Sequence, residues 1–252
     1  MVAETDDVGH PDVWIANVAV HDITFPETLA LIDGWMTARS GGYICTPNVD
    51  YVVRARRDPA FRIAIGGARA RVPDGMGIVY ASRLAGRPLR GTVTGRLLVP
   101  AVARLAAARG VSVALYGGRP GVAARAAEAL RGEIPNLSVT FAAGPPMAFE
   151  VASADADAEA EAISSARPGV VFVALGAPKQ ELWMERHVAH FDGTVLIGVG
   201  AAFDILAGRF REAPRWMTRV GLEWLFRLVQ EPRRLARRYL IDDPWIFAWA
   251  AG

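Results

Sequence analysis

The chain has 252 residues, 52% of them hydrophobic and 21% charged, with a formal net charge of +2. That balance excludes extended disorder, and no apolar run reaches the roughly 20 residues that cross a bilayer. One cysteine, Cys45, excludes an internal disulfide framework and a multi-cysteine metal site. The first ten residues are polar and acidic, which reads as a loose terminus, so the expected protein is soluble or lies on a membrane without spanning it.

Short β-branched runs alternate with longer alanine-rich amphipathic segments, the pattern of βαβ units. An α/β, Rossmann-like fold is expected, with a mainly parallel sheet flanked by helices. Val13–Val20 predicts the first strand. Thr24-Phe25-Pro26-Glu27 has capping-box spacing and opens a helix ending near Arg39. Tyr43–Thr46 predicts the next strand and runs into Pro47-Asn48. Ligands of parallel sheets bind beyond the carboxyl ends of strands, so Thr46 and Asn48 are candidates to meet hydroxyls or phosphates. Asn48 taken alone reads more readily as a helix cap. Arg71-Val72 leads into Pro73-Asp74-Gly75, a tight turn before an apolar helix. Asp74 is there either a cap or a general base that takes a proton from an attacking hydroxyl.

Thr94 is placed to cap a helix Gly95–Arg109, which Gly110 stops. After a strand Val111–Tyr116, Gly117 and Gly118 let the backbone approach a ligand, and the helix begun at Pro120 attracts phosphate. The spacing is not the dinucleotide fingerprint, and the strand Leu137–Phe141 ends in Ala142-Ala143, with no acid to grip a ribose. A nucleotide phosphate is favoured over a nicotinamide dinucleotide. Ala152–Ala166 reads as a solvated helix. The strand Val170–Leu175 ends in Gly176-Ala177-Pro178-Lys179-Gln180-Glu181, where the chain's single lysine stands beside an amide at a helix start, a setting suited to a diphosphate. Thr194–Val199 predicts the last strand.

Composition shifts near Gly208. Residues 207–252 hold nine arginines against five acids and four of the seven tryptophans, Trp216, Trp224, Trp245 and Trp249. The expected organisation is a catalytic core, residues 1–208, and a basic, aromatic helical appendage, residues 209–252. Val220, Trp224, Leu225 and Leu228 recur at helical spacing, either as core packing or as the apolar face of an interfacial helix. Asp155-Ala156-Asp157 imitates a metal-holding pair but lies in a helical stretch with no strand before it. His187 and His190 lack a third ligand, so no metal is expected. Neither a Gly-x-Ser-x-Gly elbow nor a Walker loop occurs, which argues against hydrolase and kinase chemistry.

Thr46-Pro47-Asn48, Pro73-Asp74-Gly75, Tyr116-Gly117-Gly118, Gly176–Glu181 and Gly198–Asp204 occur in an order that resembles the WecG/TagA/CpsF family of bacterial glycosyltransferases. Ala213-Pro214-Arg215-Trp216, Gly221-Leu222-Glu223-Trp224 and Glu231-Pro232-Arg233-Arg234 extend the resemblance to nearly the whole chain. It implies an inverting transfer, without metal or other cofactor, from a UDP-sugar donor to a polyprenyl-diphosphate-linked sugar. The sugar is of N-acetylmannosamine, glucose or uronic acid type, and the product a cell-surface polysaccharide or teichoic acid-type polymer. Asp74 maps onto the family's proposed base, Thr46 and Asn48 onto the same pocket, and Gln180 onto a residue near the donor. Arg215, Arg227, Arg233 and Arg234 are the implied contacts to diphosphate and membrane. The implied setting is cytoplasmic, peripheral at the inner face of the cell membrane, without nucleic acid and with self-association left open. A nucleotide-sugar-binding regulator without turnover is the alternative. The family usually has an acid shortly after the Thr-Gly pair, where this chain has Arg96-Leu97-Leu98.

Overall fold

The computed structural model describes residues 8–9, 12–146, 149–211, 213–214, 217 and 222–250. The chain opens with β1 (Asp12–Ile15) and β2 (Val18–His21), an antiparallel hairpin, followed by α1 (Phe25–Ala38). Next come β3 (Gly42–Cys45), α2 (Val49–Ala55), α3 (Pro59–Gly66), the two-residue β4 (Ala70–Arg71), α4 (Met76–Leu84) and α5 (Gly95–Ala108). Strand and helix then alternate through β5 (Val113–Gly117), α6 (Val122–Glu133), β6 (Val139–Ala143), α7 (Ala154–Ser165), β7 (Val170–Ala174), α8 (Lys179–His187), β8 (Val195–Gly198) and α9 (Ala202–Leu206). Beyond Gly208 lie α10 (Glu223–Gln230), α11 (Pro232–Arg237), one π-helical turn at Arg238–Asp242, and α12 (Trp245–Ala250).

The main sheet has six strands in the order β4-β3-β8-β7-β5-β6, and every pairing is parallel. β5, β7 and β8 are buried at every position, as strands covered on both faces must be. Their alternate side chains divide the core. Leu115, Phe172 and Ile197 pack with α1, α5 and α6 on one face, and Tyr116, Val173 and Leu196 pack with α2, α3, α7 and α8 on the other. Trp183 is fully buried in the second layer, with ring centroids 4.7 Å from Tyr116 and 5.8 Å from Phe191. The result is the expected α/β architecture.

Local chemistry explains the boundaries. Thr24 caps α1 as its spacing predicts: its N–H donates to the Glu27 carboxylate at 2.7 Å. Thr94 precedes α5 but does not cap it through its side chain, and its hydroxyl is buried without a partner. Only its carbonyl serves the helix, accepting from Leu97 and Leu98 at 3.0 Å. Val13–Val20 is two strands and not one. Ala16 takes φ = 52° and Ile15 pairs with Val18, so the chain reverses and the inward phase passes from Val13 and Ile15 to Val18 and Val20.

Side chains occupy both edges of the sheet. The N–H of Arg71 in β4 donates to Nδ1 of His21 at 2.9 Å, and the Arg71 guanidinium meets Asp12 of the same hairpin at 3.0 Å. At the far edge Arg131 donates to the Val139 carbonyl at 2.9 Å.

The segment after Gly208 is fastened to the core at several points among the described residues. Ile246 of α12 is fully buried in the layer that holds α2 and α4, Leu235 of α11 is buried, and Arg57 meets Asp242 at 3.3 Å. Truncating Ile246 to alanine should destabilise the chain by roughly 2–5 kcal/mol, and Trp245→Ala, at a 57% exposed neighbour, by less than about 0.5 kcal/mol. Denaturant unfolding of the two variants checks this; equal, small losses would contradict the packing of α12.

Candidate active site

Two cavities open beyond the carboxyl ends of the strands. The larger, about 440 Å³, lies past β3 and β4 and under the C-terminal segment; Asn48, Asp74, Tyr80, Arg227, Arg238 and Asp243 are among its walls. The smaller, about 310 Å³, lies past β5, β7 and β8 and includes Gly118, Arg119, Gly176, Lys179, Gly200 and Arg209. β5 connects outward to β6 while β7 connects the other way to β8, so the smaller cavity sits where the strand order reverses, the usual ligand position in such sheets.

Asp74 is set by its backbone. Its N–H donates to the Pro47 carbonyl at 2.8 Å, which ties the turn before α4 to the tip of β3. Asn48 does two jobs: its oxygen accepts from the Tyr51 N–H at 3.3 Å, capping α2, and its amide reaches the Asp74 carboxylate at a long 3.5 Å. Burial raises the Asp74 carboxyl to about 6; the Asn48 hydrogen bond opposes the rise, Glu223 adds to it, and Arg227 and Arg238 oppose it. Asp243, across the cavity, is also raised to about 6, by burial first.

At the end of β5, Gly117 has φ = 123°, and a Cβ there would stand 2.6 Å from the Ala174 backbone, so only glycine lets β5 close on β7. Gly118 extends that closure, its N–H donating to the Ala174 carbonyl at 2.9 Å. Lys179 donates to the Phe149 carbonyl at 2.7 Å, which leaves its cationic head on the wall of the smaller cavity. Arg209 pairs with Asp204 at 2.9 Å.

The expected site residues are divided among different surroundings. Asp74, Asn48 and Arg227 share the larger cavity, and Gly118 and Lys179 line the smaller one, with Gly117 just beneath. Thr46 and Gln180 are buried: Thr46 donates to the Gly198 carbonyl at 3.1 Å, and Gln180 accepts from the Gly200 N–H at 3.1 Å. Arg233 is exposed. Arg215 lies outside the described residues, as does the side chain of Arg234. Leu97 is exposed, while its neighbour Arg96 enters a small cleft with Glu223 and Arg227. Among the described residues no three His, Cys, Asp or Glu converge on a metal-sized point. Asp157 pairs with Arg186 at 3.0 Å on α7.

Arg238 escaped the sequence reading. Its guanidinium stands 3.5 Å from Asn48, Asp50 and Asp243. Nothing in the arginine-rich run 233–238 marks it out, because the π-helical turn that begins there sets its direction.

The family model of the Glycosyl transferase WecG/TagA/CpsF family matches residues 13–251. The chain belongs to that family. It is 30% identical over 203 residues, 81% of this chain and 77% of the relative, to the N-acetylglucosaminyldiphosphoundecaprenol N-acetyl-beta-D-mannosaminyltransferase of Bacillus spizizenii. The Bacillus subtilis enzyme of the same name matches equally, and that of Staphylococcus aureus (strain MW2) is 29% identical over 77% of this chain and 74% of its own length. The protein is a hexosyl-transferring glycosyltransferase.

Behind the two cavities Glu181 is fully buried and raised from 4.5 to about 7 by burial, against the hydrogen bonds of Tyr51 and Gln180. The folded protein thus holds a proton that the unfolded chain releases at lower pH. Its stabilising contribution is complete below about pH 4.5 and lost as pH rises through 7. Glu181→Gln should flatten the decline of unfolding free energy across that window; a slope equal to wild type would assign the titration to another group.

Proposed function

We propose that the protein transfers N-acetylmannosamine from a UDP-sugar to N-acetylglucosamine carried on a polyprenyl diphosphate, in the synthesis of a cell-envelope polymer. The names of the relatives support both sugars and the lipid carrier. The observation that carries the mechanism is Asp74: a carboxylate on the wall of the larger cavity, raised to about 6, is ionised at neutral pH yet basic enough to take a proton from a hydroxyl. The acceptor hydroxyl, losing its proton to Asp74, attacks the anomeric carbon, and UDP departs from the opposite face. One such displacement on an α-linked donor yields the β-linkage in the relatives' names.

In this reading the smaller cavity holds the donor diphosphate, with Lys179 and Arg119 on its walls and the start of α6 at the same end of the sheet. The larger cavity holds the acceptor, its diphosphate met by Arg227 and Arg238. On the donor side Lys179 and Arg119 take over the charge of the departing diphosphate, so the reaction proceeds without a divalent metal. Residues 209–252 serve as a roof and membrane-facing appendage to a core of residues 1–208. Trp224, Val229, Leu240, Ile241 and Trp245 are exposed there, among Arg233 and Arg237, a composition suited to an anionic lipid surface. No helix among the described residues is long and apolar enough to cross a membrane, which fits peripheral attachment at the inner face.

Asp74→Asn keeps the shape and loses the base. Transfer should fall at least ~100-fold while affinity for UDP stays within a few-fold of wild type, and wild-type kcat/KM should rise with pH through a midpoint near 6. A variant that retains a tenth of the turnover would remove Asp74 from this role. Activity should also survive EDTA; loss in chelator with recovery on adding manganese would contradict the cationic account.

A further inference from the structure

Between the two cavities, and lining neither, three polar side chains are packed into the apolar layer under α2 and α8. Tyr51, Gln180 and Glu181 are each at most 2% exposed. The Tyr51 hydroxyl donates to the Glu181 carboxylate and accepts from the Gln180 amide at 3.0 Å. The second Glu181 oxygen is buried without a partner. Such a cluster costs stability that an apolar trio of the same size would not, since each group gives up water for few partners. Its position relative to both cavities accounts for it.

At one end the Gln180 oxygen accepts from the Gly200 N–H at 3.1 Å, and Gly200 lines the smaller cavity. The strand end is shaped around that amide. A Cβ on Gly198 would lie 2.8 Å from the Gln180 amide nitrogen, so a side chain there would push it away. At the other end the Tyr51 N–H holds the Asn48 oxygen, and Asn48 meets Asp74 in the larger cavity. One tyrosine thus touches both arms, through its backbone on one side and its hydroxyl on the other.

We propose that Tyr51 and Glu181 are positioning residues, which with Gln180 form a buried polar strut fixing the Gly200 loop and the Asn48–Asp74 pair in register across the reaction path. The strut rests on the donor and acceptor reading of the two cavities. Glu181 is out of reach of either substrate, so it acts through Tyr51 and not on the sugar.

Tyr43 supplies a matched control. It too is buried, and its hydroxyl donates to the Ala64 carbonyl at 2.6 Å, on α3 and outside the strut. Tyr51→Phe and Tyr43→Phe of the full chain are compared by thermal unfolding, by UDP titration, and by transfer from UDP-N-acetylmannosamine to a short-chain prenyl-diphosphate N-acetylglucosamine. Both should lower the unfolding midpoint. Only Tyr51→Phe should raise the UDP dissociation constant and lower kcat, each by about tenfold, as loss of a buried hydrogen bond implies. Glu181→Gln, which keeps an acceptor for the hydroxyl, should stay within about threefold of wild type, and Glu181→Leu should behave like Tyr51→Phe. Gly198→Ala displaces the amide without removing any polar group, and should reproduce the kinetic loss even where Tyr51→Phe fails to fold. Kinetic constants for Tyr51→Phe within twofold of wild type, or no worse than those of Tyr43→Phe, would overturn the strut. So would a tenfold loss in Glu181→Gln. Lys179→Ala tests the cavity assignment separately: unchanged UDP affinity there would overturn the donor reading on which the strut rests, whereas weakened affinity in Lys179→Ala beside unchanged constants in Tyr51→Phe would overturn the strut alone.

Discussion

A parallel sheet cannot turn back on itself. Each strand must return through a helix to the same starting edge, and both faces of the sheet end up covered. Every loop that follows a strand is therefore delivered to one rim of the molecule. Asn48 after β3, Asp74 after β4, Gly118 after β5, Lys179 after β7 and Gly200 after β8 are far apart in sequence and near in space for this reason alone. The rim is open to solvent, and the segment after Gly208 closes part of it by laying α10 and the Arg238 turn over the larger cavity.

That roof sets the electrostatics of the cavity. A carboxylate on an open strand tip would keep the ordinary acidity of aspartate. Beneath the roof, Asp74 loses water and becomes harder to ionise, while Arg227 and Arg238 restrain the shift. The outcome is a carboxylate poised near neutrality with cations beside it. In the reading proposed above, that combination lets one cavity accept the proton of the acceptor hydroxyl and hold the acceptor's own diphosphate.

The alternation of apolar runs and amphipathic segments was enough to read the α/β architecture, because strands buried on both faces have nowhere to place a charge. The capping box at Thr24 was legible because all of its partners lie within four residues. The hairpin turn was not. Ala16-Asn17 lacks a glycine, and the one available sign was the phase of the inward residues, which changes between Ile15 and Val18. β4 is too short to carry any pattern. Asp74, Asn48 and Lys179 could be singled out because they stand after strands, and all three lie on cavity walls. Whether such a residue faces a cavity or the interior depends on the neighbouring strand: Thr46 and Gln180 are both buried, one bonded to the Gly198 carbonyl at the end of β8 and the other to the Gly200 N–H just beyond it. Arg238 was illegible because its direction depends on helix geometry that composition does not encode.

The treatment of the sheet's margins bears on how the protein behaves in a crowd. An open parallel sheet ends in two rows of unpaired backbone groups, which any extended segment from another chain can extend. Here one margin is a strand of only two residues whose exposed N–H is already held by His21, with the hairpin clamped over it by Arg71 and Asp12. The other margin has the Val139 carbonyl occupied by Arg131. A foreign strand would have to displace a side chain before it gained its first hydrogen bond at these points, which raises the barrier to sheet-to-sheet aggregation at high local concentration.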